Sequence, residues 1–108
     1  MVPKYATPDP ALPSGVSKVA RVFGINLVRL TILRELQVHD EGLTTGELAK
    51  RLDIPRQTVV RHIRSLEDED LVHSNTANRR GDRVQYRADR TQLAVALDDL
   101  RTYVLPAD

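Results

Sequence analysis

TTGELAKRLDIPRQTVVRHIRSLEDEDLV, residues 44–72, carries the pattern on which the reading of the whole chain turns. Leu48, Ala49 and Leu52 stand at steps that place side chains on one side of an α-helix. Thr44 or Thr45 supplies an N-cap hydroxyl, and Glu47 or Leu48 falls in the first turn. A helix is expected over Thr45 to Leu52. Asp53-Ile54-Pro55 ends it, because proline biases the residue before it away from the helical conformation yet fits the first turn of a new helix. A second helix therefore starts at about Pro55 and runs to about Asp70. Val59, Ile63 and Leu66, at i, i+4 and i+7, form its inner face. Arg56, Gln57, Arg61 and Arg64 occupy its outer face, so the polar side of this helix is also its cationic side.

Upstream of this pair, Val16, Val19, Ala20, Phe23, Leu27, Leu30, Leu33 and Leu36 recur at helical spacing. Gly24 interrupts the row and Asn26 is placed to restart it as an N-cap. The spacing predicts helices over Ser17 to Phe23 and Leu27 to Val38, followed by a polar loop, His39-Asp40-Glu41-Gly42. Downstream, Leu71-Val72-His73 and Val84-Gln85-Tyr86-Arg87 read as short strands. The polar segment Asn75 to Asp82 between them contains the turn signal Arg80-Gly81-Asp82, so the two strands form a hairpin with a basic tip. Asp89 caps a last helix, with Gln92 in capping-box position. Leu93, Leu97, Leu100 and Val104 give that helix one narrow apolar stripe, and Pro106 ends it. Pro3, Pro8, Pro10 and Pro13 mark the first 15 residues as an extended arm. The expected organisation is an arm over 1–15, one folded domain over 16–105 and a tail over 106–108.

Composition narrows the function classes. A chain of 108 residues with 41% hydrophobic content buries roughly two-thirds of its unfolded surface on folding, enough for a single core. No cysteine is present, which excludes disulfides, thiolate metal sites and cysteine nucleophiles. His39, His62 and His73 are scattered without metal-ligand spacing, and no glycine-rich phosphate loop or histidine–carboxylate cluster suggests an enzyme. No cofactor is implied. No apolar stretch approaches the roughly 20 residues of a membrane span, and no leader pattern opens the chain, so no membrane partner and a cytoplasmic location are expected. The net charge is only +1, but its distribution is uneven. Arg56, Arg61 and Arg64 stand together without an acid; Glu67-Asp68-Glu69-Asp70 follows; then come Arg79, Arg80, Arg83, Arg87 and Arg90 against Asp82 and Asp89. Two separate arginine blocks suit a two-pronged contact with a polyanion. The acidic run between them reads as a solvated helix end that repels phosphate.

The order helix, helix, helix, tight turn, helix, hairpin, helix resembles a winged helix-turn-helix domain, and three segments resemble the ArsR family of regulators. Arg29-Leu30-Thr31-Ile32-Leu33 is similar to that family's arginine-leucine-x-isoleucine-leucine segment. Glu47-Leu48-Ala49, through Pro55 to Val59-Val60-Arg61-His62-Ile63 and on to Leu71-Val72, resembles its helix-turn-helix. Arg80 to Arg87 resembles its wing. The resemblance covers about Val16 to Val104. It implies a mainly α (α+β) fold with a two-stranded β wing and a C-terminal dimerisation helix, and a homodimeric repressor of transcription reading an inverted repeat in double-stranded DNA. Three departures are specific. Asp70 stands where the family often has glycine, and Val60 stands where it often has serine. Ala49 and Arg51 occupy the positions of its metal-sensing cysteine pair. Asp98 and Asp99 have no following histidine to complete a second metal site, so metal sensing is not expected.

Residue roles follow from the groove chemistry. Gln57 is suited to adenine, and Arg56, Arg61 and Arg64 to guanine or phosphate. Thr58 suits a phosphate or a thymine methyl. His62, on the flank of the apolar stripe, is either a phosphate contact or a part-buried histidine bonded to a backbone group, and the family resemblance, which places it on the DNA-reading helix, favours the DNA contact. Arg79, Arg80 and Arg83 at the wing tip are placed for the adjacent minor groove or its phosphates. Leu93, Leu97, Leu100 and Val104, with the first helix, are expected to form an antiparallel dimer seam. The alternative reading is a winged-helix module that binds protein, or DNA architecturally, without sequence-specific promoter control. Whether a small-molecule effector exists is left open by the sequence; a pocket for one would lie at the dimer seam, and a constitutive regulator is the equal alternative.

Overall fold

The computed structural model describes residues 12–75 and 84–107. The wing-tip arginines Arg79, Arg80 and Arg83, and most of the expected arm, lie outside the described residues. Helix α1 (Ser14–Phe23) starts three residues before Ser17, so Ser14 and Gly15 belong to the helix and not to an arm. Pro13 explains the difference: its ring fixes φ at −58°, and its carbonyl accepts from the Val16 and Ser17 amides at 3.0 and 3.2 Å. Gly24, with φ +67°, closes α1 in the left-handed region, where a Cβ is penalised. Asn26 accepts from the Arg29 amide and opens α2 (Leu27–Val38).

Thr44 caps α3 (Thr45–Leu52) in a full capping box with Glu47. Its hydroxyl accepts from the Glu47 amide at 3.0 Å, and the Glu47 carboxylate accepts from the Thr44 amide at 2.9 Å. Asp53, at φ +56°, ends α3, and Pro55 sits at the N-cap of α4 (Arg56–Asp68). That helix stops two residues short of Asp70, which turns the chain at φ +61°. The Leu71 amide then donates back to the Leu66 carbonyl at 2.9 Å. Leu71 is therefore part of the helix ending, and β1 begins one residue later, at Val72–Ser74. It pairs antiparallel with β2 (Tyr86–Ala88): Val72 opposite Ala88, His73 opposite Arg87, Ser74 opposite Tyr86. Asp89 caps α5 (Arg90–Val104), its side chain accepting from the Gln92 amide.

The core lies between α2, α3, α4 and β1. Val28, Ile32 and Leu36 enter it from α2, Leu48 from α3, Val59, Ile63 and Leu66 from α4, and Val72 from β1. Burying side chains such as Ile32, Leu36, Leu48 and Ile63 contributes roughly 1.5–3 kcal/mol each. The face of α2 differs from the expected row. Leu27 and Leu30 are only half-buried while Val28 and Ile32 are buried, because a helix with apolar residues on more than one side leaves its orientation to the neighbours it packs against. Leu43, in the α2–α3 loop, exchanges two backbone hydrogen bonds with Tyr86 at 3.0 and 2.8 Å, stitching β2 to the helical body. Gly42, at φ +99°, makes room for that contact: a Cβ there would lie 3.2 Å from the Gln85 Cβ and 3.3 Å from the Tyr86 oxygen.

Helices α1 and α5 stand at the margin of this body. Only Ala20 of α1 is buried, leaving Val16, Val19, Val22 and Phe23 exposed. Leu97 is 61% exposed, and Leu100 and Val104 are also open. Leu93 is the exception among the residues expected at a dimer seam: it packs, half-buried, against the chain's own core. It lies in the first turn after β2 and Asp89, and the Leu93 amide is still held by the Asp89 carbonyl at 2.9 Å, so it cannot diverge from the sheet as the later turns do. Among the described residues no helix is long and apolar enough to cross a membrane.

Candidate nucleic-acid interface

Helix α4 presents its polar side away from the core because its apolar residues fall at 59, 63 and 66, all buried. Arg56, Gln57, Arg61 and Arg64 are exposed, and together with Val60, Ser65 and Asp68 they line one shallow concavity. Four of the six residues expected on the reading helix are thus brought together on one surface. Pro55, at the N-cap of α4, makes no side-chain capping bond, so the positive end of the helix dipole beside Arg56 and Gln57 favours an anion there. Arg56 is partly committed: its Nε donates to the Thr45 hydroxyl at 3.2 Å. Thr45 is buried at the start of α3, so this bond braces the two helices across their turn while the guanidinium stays exposed.

Thr58 and His62 are placed differently. Thr58 is half-buried and not part of the concavity. His62 is 7% exposed, and its Nδ1 accepts from the Arg29 Nε of α2 at 3.3 Å. Of the two roles open to His62 in the sequence, this geometry matches a part-buried histidine bonded within the fold, with a side-chain donor where a backbone partner was expected. Accepting at Nδ1 requires a neutral ring with its proton on Nε2. Burial, then the guanidiniums of Arg29 and Arg61, lower its pKa from the usual histidine value and favour that neutral form. The sequence held a signal for the burial, since His62 lies beside Ile63, but none for Arg29, which is 33 residues away.

Two further polar links hold the site's surroundings. Glu35 of α2 takes an ion pair from Arg51 of α3 at 3.5 Å and lies 3.2 Å from the His39 imidazole. His73 of β1 meets the Asp89 carboxylate at 2.8 Å, while the other oxygen of that carboxylate caps α5. The Gln92 amide, then His73, lower the Asp89 pKa from its usual value. Arg87 is exposed on β2, with its Cγ close to Gly42 of the α2–α3 loop. Among the described residues no group of three or more histidine, aspartate or glutamate side chains is placed to hold a metal ion.

Residues 25–75, from the residue before Asn26 to the residue after β1, match the family model described as a helix-turn-helix domain. A solved complex of S. aureus MepR with DNA superposes with a TM-score of 0.58 at 20% identity, over 83% of this chain and 73% of that one. A MarR family transcriptional regulator from Silicibacter pomeroyi gives 0.57 at 19% identity, over 88% of this chain and 68% of that one. The chain is a winged helix-turn-helix. Among curated proteins, the HTH-type transcriptional regulator Rv1719 of Mycobacterium tuberculosis is 45% identical over 56 residues, which is 52% of this chain and 20% of that protein. The winged helix-turn-helix thus spans about a fifth of the length of this curated relative.

Proposed function

We propose that this winged helix-turn-helix is a sequence-specific regulator of transcription that binds double-stranded DNA as a homodimer and represses at an inverted repeat. The observation that carries the reading is the exposed stripe of Arg56, Gln57, Arg61 and Arg64 on α4. It is cationic and rich in donors suited to base edges, and α3 braces it from behind through Thr45. The regulator that matches at 45% identity and the DNA complex of MepR support the same reading. The ArsR resemblance rests on the residue pattern alone, and the MarR-type neighbour shares the fold without favouring it.

Dimerisation is proposed through α1 and α5. Their exposed residues include Val16, Val19, Leu97, Leu100 and Val104, more apolar surface than a marginal helix ordinarily leaves in water. Two-fold symmetry would set the two α4 helices about one DNA turn, roughly 34 Å, apart. Repression needs no contact beyond occupancy of the promoter. The wing arginines Arg79, Arg80 and Arg83 are proposed as flanking phosphate contacts.

Selection of binding sites from a random duplex pool, with the Gln57→Ala/Arg61→Ala variant alongside, tests the proposal. The expected result is an inverted repeat enriched by the wild type and lost in the variant. If each protomer neutralises about four phosphates, log affinity falls against log salt with a slope of roughly −7. No enrichment, or equal weak binding by both proteins, would reject sequence-specific reading.

A further inference from the structure

We infer that Val60 reads a thymine by its methyl group, making it a specificity-determining residue of the α4 surface; this rests on the DNA-binding reading above. Val60 lies on the side of α4 away from the core, lining the same concavity as Gln57, Arg61 and Arg64. Among the described residues it is the one apolar side chain lining that concavity. The core face of the helix is complete without it, since Val59, Ile63 and Leu66 are all buried, and Val60 is only half-buried. A β-branched residue is also a poorer helix former than the alanine, glutamine or lysine that a merely solvated position would favour. The fold therefore gains little from valine at this position.

The chemistry of the major groove supplies a use for it. Every base pair presents donors and acceptors there, but the thymine C5-methyl is the only apolar group on offer. Val60 has no donor or acceptor, so against a cytosine amino group it would leave a desolvated polar group unpaired. Against thymine its γ-methyls meet a surface of their own kind. Gln57 and Arg64 stand one helical turn to either side, at i−3 and i+4, and suit adenine and guanine or phosphate. The stripe thus combines donors at its ends with an apolar patch between them, which suits a half-site holding a thymine next to purine contacts.

The test uses the enriched duplex from the selection experiment. Each thymine is replaced in turn by deoxyuridine, which removes the methyl and leaves pairing intact. Wild type is expected to lose about fourfold in affinity per half-site at one position, the worth of one buried methyl. Val60→Ala, which favours the helix and keeps the donors, is expected to bind the thymine and uracil duplexes within a factor of about 1.5 at that position. Placing 5-methylcytosine there, paired with guanine, should recover part of the loss seen with cytosine in wild type only. A wild type that binds its operator tightly but tolerates every uracil substitution overturns the role of Val60, as does a methyl effect that Val60→Ala retains. Failure of the wild type to enrich any duplex overturns the DNA reading itself, and is distinguished by the absence of wild-type binding.

Discussion

The Arg29–His62 hydrogen bond joins α2 to α4, the helix proposed to read DNA, and the protonation state of His62 sets its sign. At pH 8 the imidazole is neutral and accepts from a charged donor, an interaction worth about 1.5–3 kcal/mol. A double-mutant cycle with Arg29→Met and His62→Leu should give a coupling energy of that order at pH 8. Acidification reverses the situation. The pKa of His62 in the fold is lowered by burial and by Arg29 and Arg61, so between about pH 6.5 and that lower value the unfolded chain binds a proton that the folded chain does not. Stability contributed at this site is therefore complete above about pH 6.5 and declines as pH falls through the window, by at most about 1.4 kcal/mol per pH unit. Urea melts of wild type and His62→Leu from pH 8 to pH 5 isolate the effect, because His39 and His73 are common to both proteins and cancel in the difference. The stability difference should shrink on acidification, and Arg29→Met should flatten the trend. A flat difference curve, or a wild type that gains stability relative to His62→Leu at low pH, would refute the reasoning.

Gly42→Ala should destabilise by about 1–3 kcal/mol, combining left-handed strain with loss of the paired Leu43–Tyr86 hydrogen bonds; thermal melts should then fall by roughly 4–8 °C per kcal/mol, and an unchanged melting temperature would show that the close approach to Gln85 relaxes freely. Leu97→Asp combined with Leu100→Asp should leave the protomer folded, at a cost of about 1 kcal/mol from the weaker helix propensity of two aspartates, since both side chains are exposed in the single chain. Sedimentation velocity should show the dimer lost in that variant, and retention of the dimer would place the seam elsewhere.

The helix pair at the centre of the chain was legible because its signals are local. The Thr44 cap, the Asp53-Ile54-Pro55 break and the apolar spacing of Val59, Ile63 and Leu66 each act within a few residues. Asp70 was less legible: the spacing carried the helix to it, whereas it turns the chain at φ +61°. What the sequence obscured depends on partners distant along the chain. Val28 and Ile32 displaced Leu27 and Leu30 from the core because the orientation of α2 is set by α3 and β2, not by its own periodicity. His62 was half legible, since Ile63 beside it signals burial, but its partner Arg29 reaches it across the helix interface from 33 residues away. The pairing of Leu43 with Tyr86 spans more than forty positions and leaves no local mark except Gly42. Leu93 fell on the same apolar stripe as Leu97 and Leu100, and periodicity alone could not say where one helix stops packing on its own body and begins to face outward.

Asp89 holds His73 with one carboxylate oxygen and the first turn of α5 with the other, while β1 continues directly from the end of α4. In the proposed dimer the path from the seam to the reading helix then runs α5, Asp89, β1, α4, with no unconstrained link among the described residues. Such a path works as a caliper of fixed opening. One added base pair between half-sites turns the second by about 34–36° and moves it by about 3.4 Å, and a rigid caliper cannot follow both changes at once. Spacing between half-sites should accordingly be discriminated as sharply as base identity, and weakening the Asp89 bracket would widen the range of spacings the protein accepts before it altered which bases it prefers.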